Sequence, residues 1–428
     1  MSDRAAAAVR VAAAPLPSLY DPDAFGAAFD GLSDADVVLL GEATHGSAEF
    51  YEARAAITRR LVTQHGFNVV AVEADWPDAS HIDQSVRRRP GLKDGAPFER
   101  FPTWMWRNLE FARFTAWLRT HNDGLPTAER VEFRGLDLYS LNSSIAAVLE
   151  YLGSVDPEAA AEARRRYGCL TPWQTRPERY GALAVRGVAD CRSAVVEQLR
   201  EVLLRRMADG ADEPLFDAEQ NARVIQAAEA YYRAMYEGSV ESWNLRDTHM
   251  FATLEQVLAA RGEGARAVVW AHNSHIGDAR STEMGWGGEL NLGQLCRQAW
   301  GDRAVLIGFG TDRGEVAAAT DWGGAMEVKA VRPSHPRSWE RVFRDNAPGR
   351  SLLSWRDQPA LAADLAERRL ERAIGVVYRP ETERASHYFE AELSGQFDAW
   401  VWLEETRAVT PVAGPERDGD AELYPYGL

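Results

Sequence analysis

Short apolar runs alternate with longer amphipathic segments along the chain, and this alternation is the main structural signal in the sequence. The apolar runs, each with its first residue number, are DVVLL at 36, NVVAVEA at 68, VEFRGLD at 131, RAVVWAH at 266, AVLIGFG at 304, AIGVVY at 373 and AWVWLEE at 399. Short runs with little polar alternation are typical of buried strands, and the segments between them are long enough for helices. The pattern predicts an α/β fold with a largely parallel central sheet flanked by helices.

A long central stretch departs from this alternation. Residues from about 156 to 265 contain no comparable apolar run and include helix-forming segments such as DAEQNARVIQAAEAYYRAMYEG, which Gly238 is expected to end. We therefore predict a helical insertion between two strands. The Ala-rich N-terminus lacks the apolar core of a signal peptide, so we interpret residues 1–34 as a loose arm and residues 35–428 as the α/β domain.

The composition narrows the range of partners. Lys and Arg number 48 against 64 Asp and Glu, so the formal net charge is −16 at pH 7. This charge disfavours nucleic acid and anionic membranes, and no apolar run reaches the roughly 18 residues of a membrane-spanning helix. We expect a cytoplasmic protein that binds a small molecule, neutral or cationic. The scattered Cys169, Cys191 and Cys296 have no metal-binding spacing, and we expect no disulfide among them.

Some of the predicted strands end in a residue of catalytic type. These residues are Glu42, Glu73, Asp137 and His272. The carboxyl ends of the strands in an open α/β sheet converge on one crevice, so side chains remote in sequence are expected to meet there. Two acids have simpler explanations, since Asp137 could cap the next helix and Asp75 could form an ion pair with a neighbouring arginine.

The segment GEATHGSAEF follows the first of these strands. Ser47 is expected to cap a helix from about 48 to 65, and Gly66 is expected to end it. The apolar stripe of this helix excludes Arg54, which we therefore expect at the mouth of the crevice.

Histidines occur in two of the segments at the predicted crevice. Glu42 and His45 lie at the start of a helix, where the helix dipole disfavours an imidazolium and keeps His45 neutral, as a general base must be. In WAHNSHIGD, His272 and His275 are three residues apart, so they can share a helical turn and point the same way. Each histidine also has a simpler interpretation as an ordinary loop residue.

Two further segments could border a ligand. FPTWMWRN, from Phe101, is rich in tryptophan and fits the core better than a pocket wall. Gly285, Gly287 and Gly288 precede a predicted helix and could form a mobile lid, or an ordinary turn. No G-x-S-x-G elbow, P-loop or dinucleotide fingerprint occurs, so a water molecule activated by histidine or by a metal is the expected nucleophile.

Several segments, in the same order along the chain, resemble those of the erythromycin esterase family. They are GEATHGSAEF, VAVEADWPDA, FPTWMWRN, LDLYSL, NLRDTHM, WAHNSHIGD, YRPETERASHYF and FDAWVWLEETRAVTP. The later segments are most similar to a branch of uncharacterised members that are sometimes fused to a phosphoribosyltransferase domain. The resemblance implies an α/β enzyme that hydrolyses the lactone ester of a macrolide with water as the nucleophile.

The resemblance also implies which residues act. The general base of the family corresponds to His45, and its other functional positions correspond to Glu42, Glu73, Arg54, His272 and His275. Because the wider superfamily includes metal-free, metal-dependent and haem-binding proteins, the resemblance leaves the cofactor open.

Three hypotheses follow. In the first, His45 activates water for ester hydrolysis without a cofactor, oriented by Glu42 or Glu73, and negative charge is stabilised by Arg54 and by His272 or His275. In the second, a divalent metal is bound by His45, Glu42, Glu73, His272 and His275. In the third, the same histidines sequester haem or a metal without catalysis. Trp76, Trp243 and Trp286 could stack on an amino sugar, but the similarity to the uncharacterised branch predicts that erythromycin is a poor substrate or none.

Overall fold

A computed structural model of the chain describes residues 4–90, 97–173, 177–209, 212–236 and 238–413. Its strands are β1 (Ala14–Pro15), β2 (Val37–Leu40), β3 (Val69–Asp75), β4 (Glu132–Asp137), β5 (Ala267–Trp270), β6 (Ala304–Gly310), β7 (Arg313–Ala318), β8 (Glu327–Val331), β9 (Arg350–Ser354), β10 (Arg368–Arg372), β11 (Tyr388–Glu392), β12 (Ala399–Leu403) and β13 (Glu405–Thr406).

The helices divide into those before, within and after the central stretch that lacks strands. The first group is α1 (Arg4–Ala12), α2 (Pro22–Ala27), α3 (Ala48–His65), α4 (Trp76–Val86), α5 (Thr103–Trp106) and α6 (Leu109–Asp123). The second group is α7 (Leu141–Val155), α8 (Pro157–Tyr167), α9 (Pro177–Ala184), α10 (Arg192–Asp209), α11 (Glu213–Ala234) and α12 (Ser239–Arg261). The third group is α13 (Asn273–Ile276), α14 (Glu283–Trp286), α15 (Leu292–Trp300), α16 (Trp339–Asn346), α17 (Pro359–Asp364), α18 (Glu383–Ser386) and α19 (Leu393–Gln396).

The central sheet has the strand order β1-β9-β12-β6-β2-β5-β3-β4. From β12 to β4 every neighbouring pair is parallel, whereas β9 and β1 add an antiparallel edge. Alternate residues of β2 pack into different cores, Val38 on one face and Leu39 on the other. Both faces are therefore covered, which explains the continuous apolar runs and confirms the predicted α/β class.

One predicted strand is wrong. The run AIGVVY, from residue 373, lies between β10 and β11 and forms only isolated bridges, Ile374 with Thr44 and Val377 with Ala319. Thr44 belongs to the turn after β2, so the run crosses the carboxyl end of the sheet, where Val376 and Val377 line a cavity. Its apolar residues are buried by this position at the cavity rather than by strand pairing.

Helices α7 to α12 lie between β4 and β5, and no strand occurs among the described residues of this stretch. They share a core of their own, to which α7 contributes Val148 and α11 contributes Tyr232. Two details differ from the expectation. The helical region begins at Leu141, before residue 156, and α11 ends at Ala234, whereas Gly238 stands at the start of α12.

The loose arm expected for residues 1–34 is wrong for the described part of that segment. Helix α1 packs on α16 and buries Ala5 and Val9 completely, because residues four apart lie on one helix face. The following residues pair with β9, where Ala14 stands opposite Leu352. The N-terminal segment therefore extends the edge of the central sheet.

The expectation of no disulfide is also wrong. The structure pairs Cys169 with Cys191, whose Cα atoms lie 5.8 Å apart, and leaves Cys296 free and buried. The two paired cysteines are 22 positions apart in the helical insertion. Their meeting depends on how its helices pack, which their spacing did not reveal. No helix among the described residues is long and apolar enough to cross a membrane.

Candidate active site

The turn after β2 holds His45 against a buried carboxylate. His45 Nδ1 lies 2.8 Å from Glu42 Oε1, and Glu42 is fully buried. The turn is tight: a Cβ added to Gly46 would lie 2.0 Å from the carbonyl oxygen of Ala317, so glycine is required there. Because Glu42 occupies Nδ1, the ring nitrogen left to act on a ligand is Nε2, and His45 lines the cavity.

Helix α3 has the predicted bounds and ends at Gly66, which adopts φ +71°. Ser47 stands at the N-cap position, but its side chain does not cap the helix. Its hydroxyl instead lies 2.5 Å from the hydroxyl of Thr44 in the same turn. The predicted helix is therefore correct, whereas the predicted cap is wrong.

Arg54 lies beneath the histidine turn, not at the predicted crevice mouth. Its side chain has no exposed surface, and Nη2 lies 2.6 Å from Glu42 Oε2. The guanidinium also covers the rings of Tyr51 at 4.6 Å and Trp270 at 4.9 Å. Arg54 therefore holds Glu42 in place and does not line the cavity, a position that the helical periodicity alone did not reveal.

His272 follows β5, and its ring centroid lies 4.9 Å from that of His45. The backbone N–H of Ser274 donates to His272 Nδ1 at 3.2 Å, so a neutral ring carries its proton on Nε2. Burial lowers the pKa of His272 well below its ordinary value, and the nearby His45 lowers it further. Nε2 is itself buried and makes no well-formed hydrogen bond with a described residue, although the backbone of Ala43 lies close enough to act on the ring. His272 is therefore a neutral side chain that lines the cavity and carries a buried donor.

His275 has both ring nitrogens engaged. Nδ1 lies 3.0 Å from each carboxylate oxygen of Asp247, and Nε2 lies 3.0 Å from Arg246 Nη1 and 3.3 Å from Glu73 Oε1. Burial lowers the pKa of His275, but Asp247 and Glu73 outweigh it, and the pKa is raised. Trp243 stacks on the ring at 4.6 Å. His275 thus supports its neighbours and has no free nitrogen for a ligand.

Glu73 connects the two histidines of the second segment. Its Oε1 lies 2.8 Å from Arg246 Nη2, and its Oε2 accepts the backbone N–H of His272 at 2.8 Å. Arg246 also contacts both oxygens of Asp137, at 2.6 and 3.0 Å. Burial alone would raise the pKa of Glu73, but His275 and the other positive groups around it keep the pKa well below its ordinary value. Glu73 is therefore an ionised anchor and not a base.

Sequence reasoning did not select Arg246 and Asp247 individually. Both lie in NLRDTHM, a segment noticed only as family-like, on helix α12 of the insertion. Asp247 also accepts the backbone N–H of Leu292 at 2.8 Å, which ties the following segment to α12. The signal available in the sequence was the adjacent Arg246 and Asp247 in a helical segment. Charged side chains that become buried in a helix are rarely without partners.

The cavity at the carboxyl end of the sheet has a volume of about 610 Å³. Of the predicted site residues, those that line it are His45, Glu73, His272 and His275. The segment FPTWMWRN was considered as core or as pocket wall, and it contributes to both. Trp104 is in the core, whereas Trp106 lines the cavity. Among the tryptophans considered for stacking, Trp243 lines the cavity, whereas Trp76 packs against Phe216 in the core.

The five residues considered as metal ligands cannot together bind one metal in this arrangement. His45 Nδ1 is held by Glu42, and both nitrogens of His275 are engaged. The guanidinium of Arg246 lies 2.8 Å from Glu73, where a second cation would be repelled. Within the part of the chain that the structure describes, no group of three or more His, Cys, Asp or Glu side chains could hold a metal ion.

The fold and the site define an α/β protein with histidines and carboxylates gathered at the carboxyl ends of parallel strands, an arrangement typical of enzymes. The family model described as erythromycin esterase matches residues 62–406, and the chain belongs to that family. Membership supports an esterase-like hydrolase that acts on a small molecule. The matched range contains Glu73, His272 and His275, whereas Glu42 and His45 precede it.

Similar proteins are distant. The putative hydrolase YbfO of Bacillus subtilis (strain 168) is 20% identical over 88% of this chain and 84% of its own length. Erythromycin esterase type I of Escherichia coli is 21% identical over 68% of this chain and 74% of its own length.

Solved structures share the fold at similarly low identity. A succinoglycan biosynthesis protein is 20% identical, with a TM-score of 0.78 over 95% of this chain and 97% of that one. A histidine-to-asparagine mutant of the erythromycin esterase EreC, in its open conformation, is 17% identical, with a TM-score of 0.65 over 92% of this chain and 98% of that one.

The depressed pKa of His272 predicts a pH dependence of stability. The folded protein keeps His272 neutral well below the pH at which the unfolded chain protonates it, about 6.5. The unfolded state then binds more protons, so His272 lowers the free energy of unfolding as pH falls below about 6.5. Urea unfolding of wild type and His272→Gln between pH 7 and pH 5 tests this. We expect the free energy of unfolding to fall less steeply with decreasing pH in the variant than in wild type. The same pH dependence in both proteins would contradict the prediction.

Proposed function

We propose that the protein hydrolyses a carboxylic ester or lactone with a water molecule that His45 activates as a general base. The observation that carries the proposal is the chain of contacts from Arg54 through Glu42 to His45, with distances of 2.6 and 2.8 Å. These contacts support a tautomer whose Nδ1–H donates to the buried carboxylate and whose Nε2 accepts a proton.

The reaction then proceeds through water. His45 Nε2 takes a proton from the water as its oxygen attacks the ester carbonyl, and the imidazolium is stabilised by Glu42. We assign the contact with the developing oxyanion to the Nε2–H of His272, a buried donor of a side chain that lines the cavity, and one such donor contributes about 3 kcal/mol to transition-state stabilisation. His45 then returns the proton to the leaving alkoxide. No covalent bond to the protein forms at any step.

Glu73 and its partners position the donor. Glu73 accepts the backbone N–H of His272, and Arg246 holds the carboxylate of Glu73 from the other side. Arg54 supports Glu42 from below, a role that replaces the direct oxyanion contact expected from the sequence. His275 likewise acts through Glu73 and Arg246 and not on the substrate.

A metal-dependent hydrolase with the same residues is the alternative, and the engaged nitrogens of His275 and the charge of Arg246 argue against it. The same engagement disfavours simple sequestration of haem or a metal. We therefore expect that chelator treatment leaves ester hydrolysis unchanged while elemental analysis shows no stoichiometric metal. Loss of activity on chelation, restored by one divalent metal, would establish the alternative.

We predict turnover of simple esters or lactones and little or none of erythromycin, because the chain resembles the uncharacterised branch of the family. Purified protein is incubated with a panel of p-nitrophenyl esters and, separately, with erythromycin, and the lactone-opened product is followed by mass. Erythromycin esterase type I of Escherichia coli, a relative named for that activity, serves as the positive control. Efficient opening of erythromycin contradicts the substrate prediction, whereas no turnover of any ester contradicts the proposed function.

A further inference from the structure

We propose that the cavity selects uncharged esters against esters that carry a negative charge, and that Glu289 is a specificity-determining residue. The inference rests on the proposed ester hydrolysis and names the substrate class for the same site. Its basis is the distribution of charge on the cavity wall and not the reacting groups themselves.

The arginines that line the cavity are neutralised by carboxylates of the same wall. Each forms an ion pair with an acid that also lines the cavity, so a substrate anion would have to displace that acid. The pairs are Arg100 with Asp75 at 3.1 Å, Arg246 with Asp137 at 2.6 Å, and Arg379 with Asp321. The guanidinium groups of Arg100 and Arg246 are thus held in largely buried pairs, whereas Arg379 and Asp321 form a partly exposed one.

More carboxylates than arginines line the cavity. Glu289 is a carboxylate that no arginine of the wall neutralises. It is half-buried and lines the cavity, and its carboxylate makes no hydrogen bond or ion pair with any described residue. No cation among the described residues offsets the charge of Glu289, whose pKa is raised by burial and by the nearby Asp247. A substrate anion in the cavity meets this charge at low dielectric, where repulsion between like charges is strong.

The segment that carries Glu289 is held in place. Trp243 Nε1 donates to the carbonyl of Leu290 at 2.8 Å, and the backbone N–H of Leu290 donates to Asn244 Oδ1 at 2.7 Å. A mobile lid was considered for the segment that contains Gly285, Gly287 and Gly288. The described contacts instead favour a fixed segment in the cavity wall. These hydrogen bonds fix the backbone next to Glu289 at the cavity wall.

Another part of the wall is apolar. Phe98, Phe101, Trp106, Trp322 and Phe389 contribute aromatic surface. Contact with such surface favours an apolar acyl or alkoxy group, whereas a carboxylate loses hydration there without gaining a partner.

The test compares two substrates that differ in charge alone. They are mono-p-nitrophenyl suberate, with a free carboxylate, and its methyl ester, which has the same chain without the charge. For wild type we expect kcat/KM for the methyl ester to exceed that for the acid by about tenfold or more, from like-charge repulsion. For Glu289→Gln we expect the ratio of kcat/KM for the methyl ester to kcat/KM for the acid to decrease several-fold. High salt should decrease the same ratio in wild type, because it screens the repulsion.

Glu263→Gln is the matched control, because it removes the same charge from an exposed glutamate outside the cavity. It should keep the wild-type ratio. Equal kcat/KM for both substrates in wild type, or an unchanged ratio in Glu289→Gln, overturns the selectivity inference and leaves ester hydrolysis standing. Failure to hydrolyse any ester, the methyl ester included, overturns the proposed function and this inference with it.

Discussion

His45→Asn is expected to lower kcat for ester hydrolysis by about 10³-fold, within the range that a general base contributes. Asparagine has the size to occupy the turn beside Glu42 but has no nitrogen that accepts a proton near neutral pH. The water nucleophile then loses its base, while the donor on His272 and the cavity remain. We expect KM to change little, because His45 acts on the water and not on the body of the substrate.

Two measurements separate this effect from misfolding. His121→Asn is the matched control, since His121 lies on α6 outside the cavity and stacks on Trp117. It should retain wild-type turnover. Circular dichroism and the melting temperature establish that His45→Asn is folded. If the folded variant hydrolyses the ester as fast as wild type, His45 is not the base.

Arg54→Met is expected to lower the free energy of unfolding by about 3–5 kcal/mol, the cost of leaving a buried charge without its partner. Glu42 and Arg54 have no exposed side-chain surface, so Glu42 would lose its cationic partner in a site without solvent and keep only His45. The carboxylate would then no longer be held in place for His45. The variant should consequently lose most of its turnover as well as its stability.

Arg60→Met provides the control on the same helix. Arg60 pairs with Asp30 at 2.6 Å, but its side chain keeps 31% of its surface exposed, so its loss is expected to destabilise the protein far less. Denaturant unfolding of both variants gives the comparison. Equal costs for Arg54→Met and Arg60→Met would contradict the buried ion pair.

The double variant Glu42→Gln with Arg54→Met separates stability from activity. Removing both charges leaves no unpaired ion, so we expect a large part of the lost stability to return. Turnover should stay low, because glutamine cannot stabilise the imidazolium of His45 as a carboxylate does. Recovery of full activity together with stability would show that Arg54 and Glu42 contribute to the fold alone.

Local patterns in the sequence were sufficient where the structure depends on local physics. The period of apolar residues and the glycine at position 66 predicted helix α3 at its observed bounds, because capping and amphipathicity act within a few residues. The apolar runs predicted the parallel strands from β2 to β6 and also β12, because strands covered on both faces have few polar positions. The rule that strand ends converge also placed Glu73 and His272 beside His45.

Tertiary structure alone decided which of these side chains face a ligand. Arg54 and His275 were expected beside the substrate, yet ion pairs turn Arg54 toward Glu42 and His275 toward Asp247. Their partners lie outside the helices that carry them, Glu42 in the turn after β2 and Asp247 on α12, and the cost of an unpaired buried charge fixes those pairings. The same holds for α1 on the sheet edge and for Cys169 with Cys191, contacts set by packing between distant segments. Sequence alone determined the local elements and the meeting point of the strand ends; which groups face the cavity was set by long-range burial of charge.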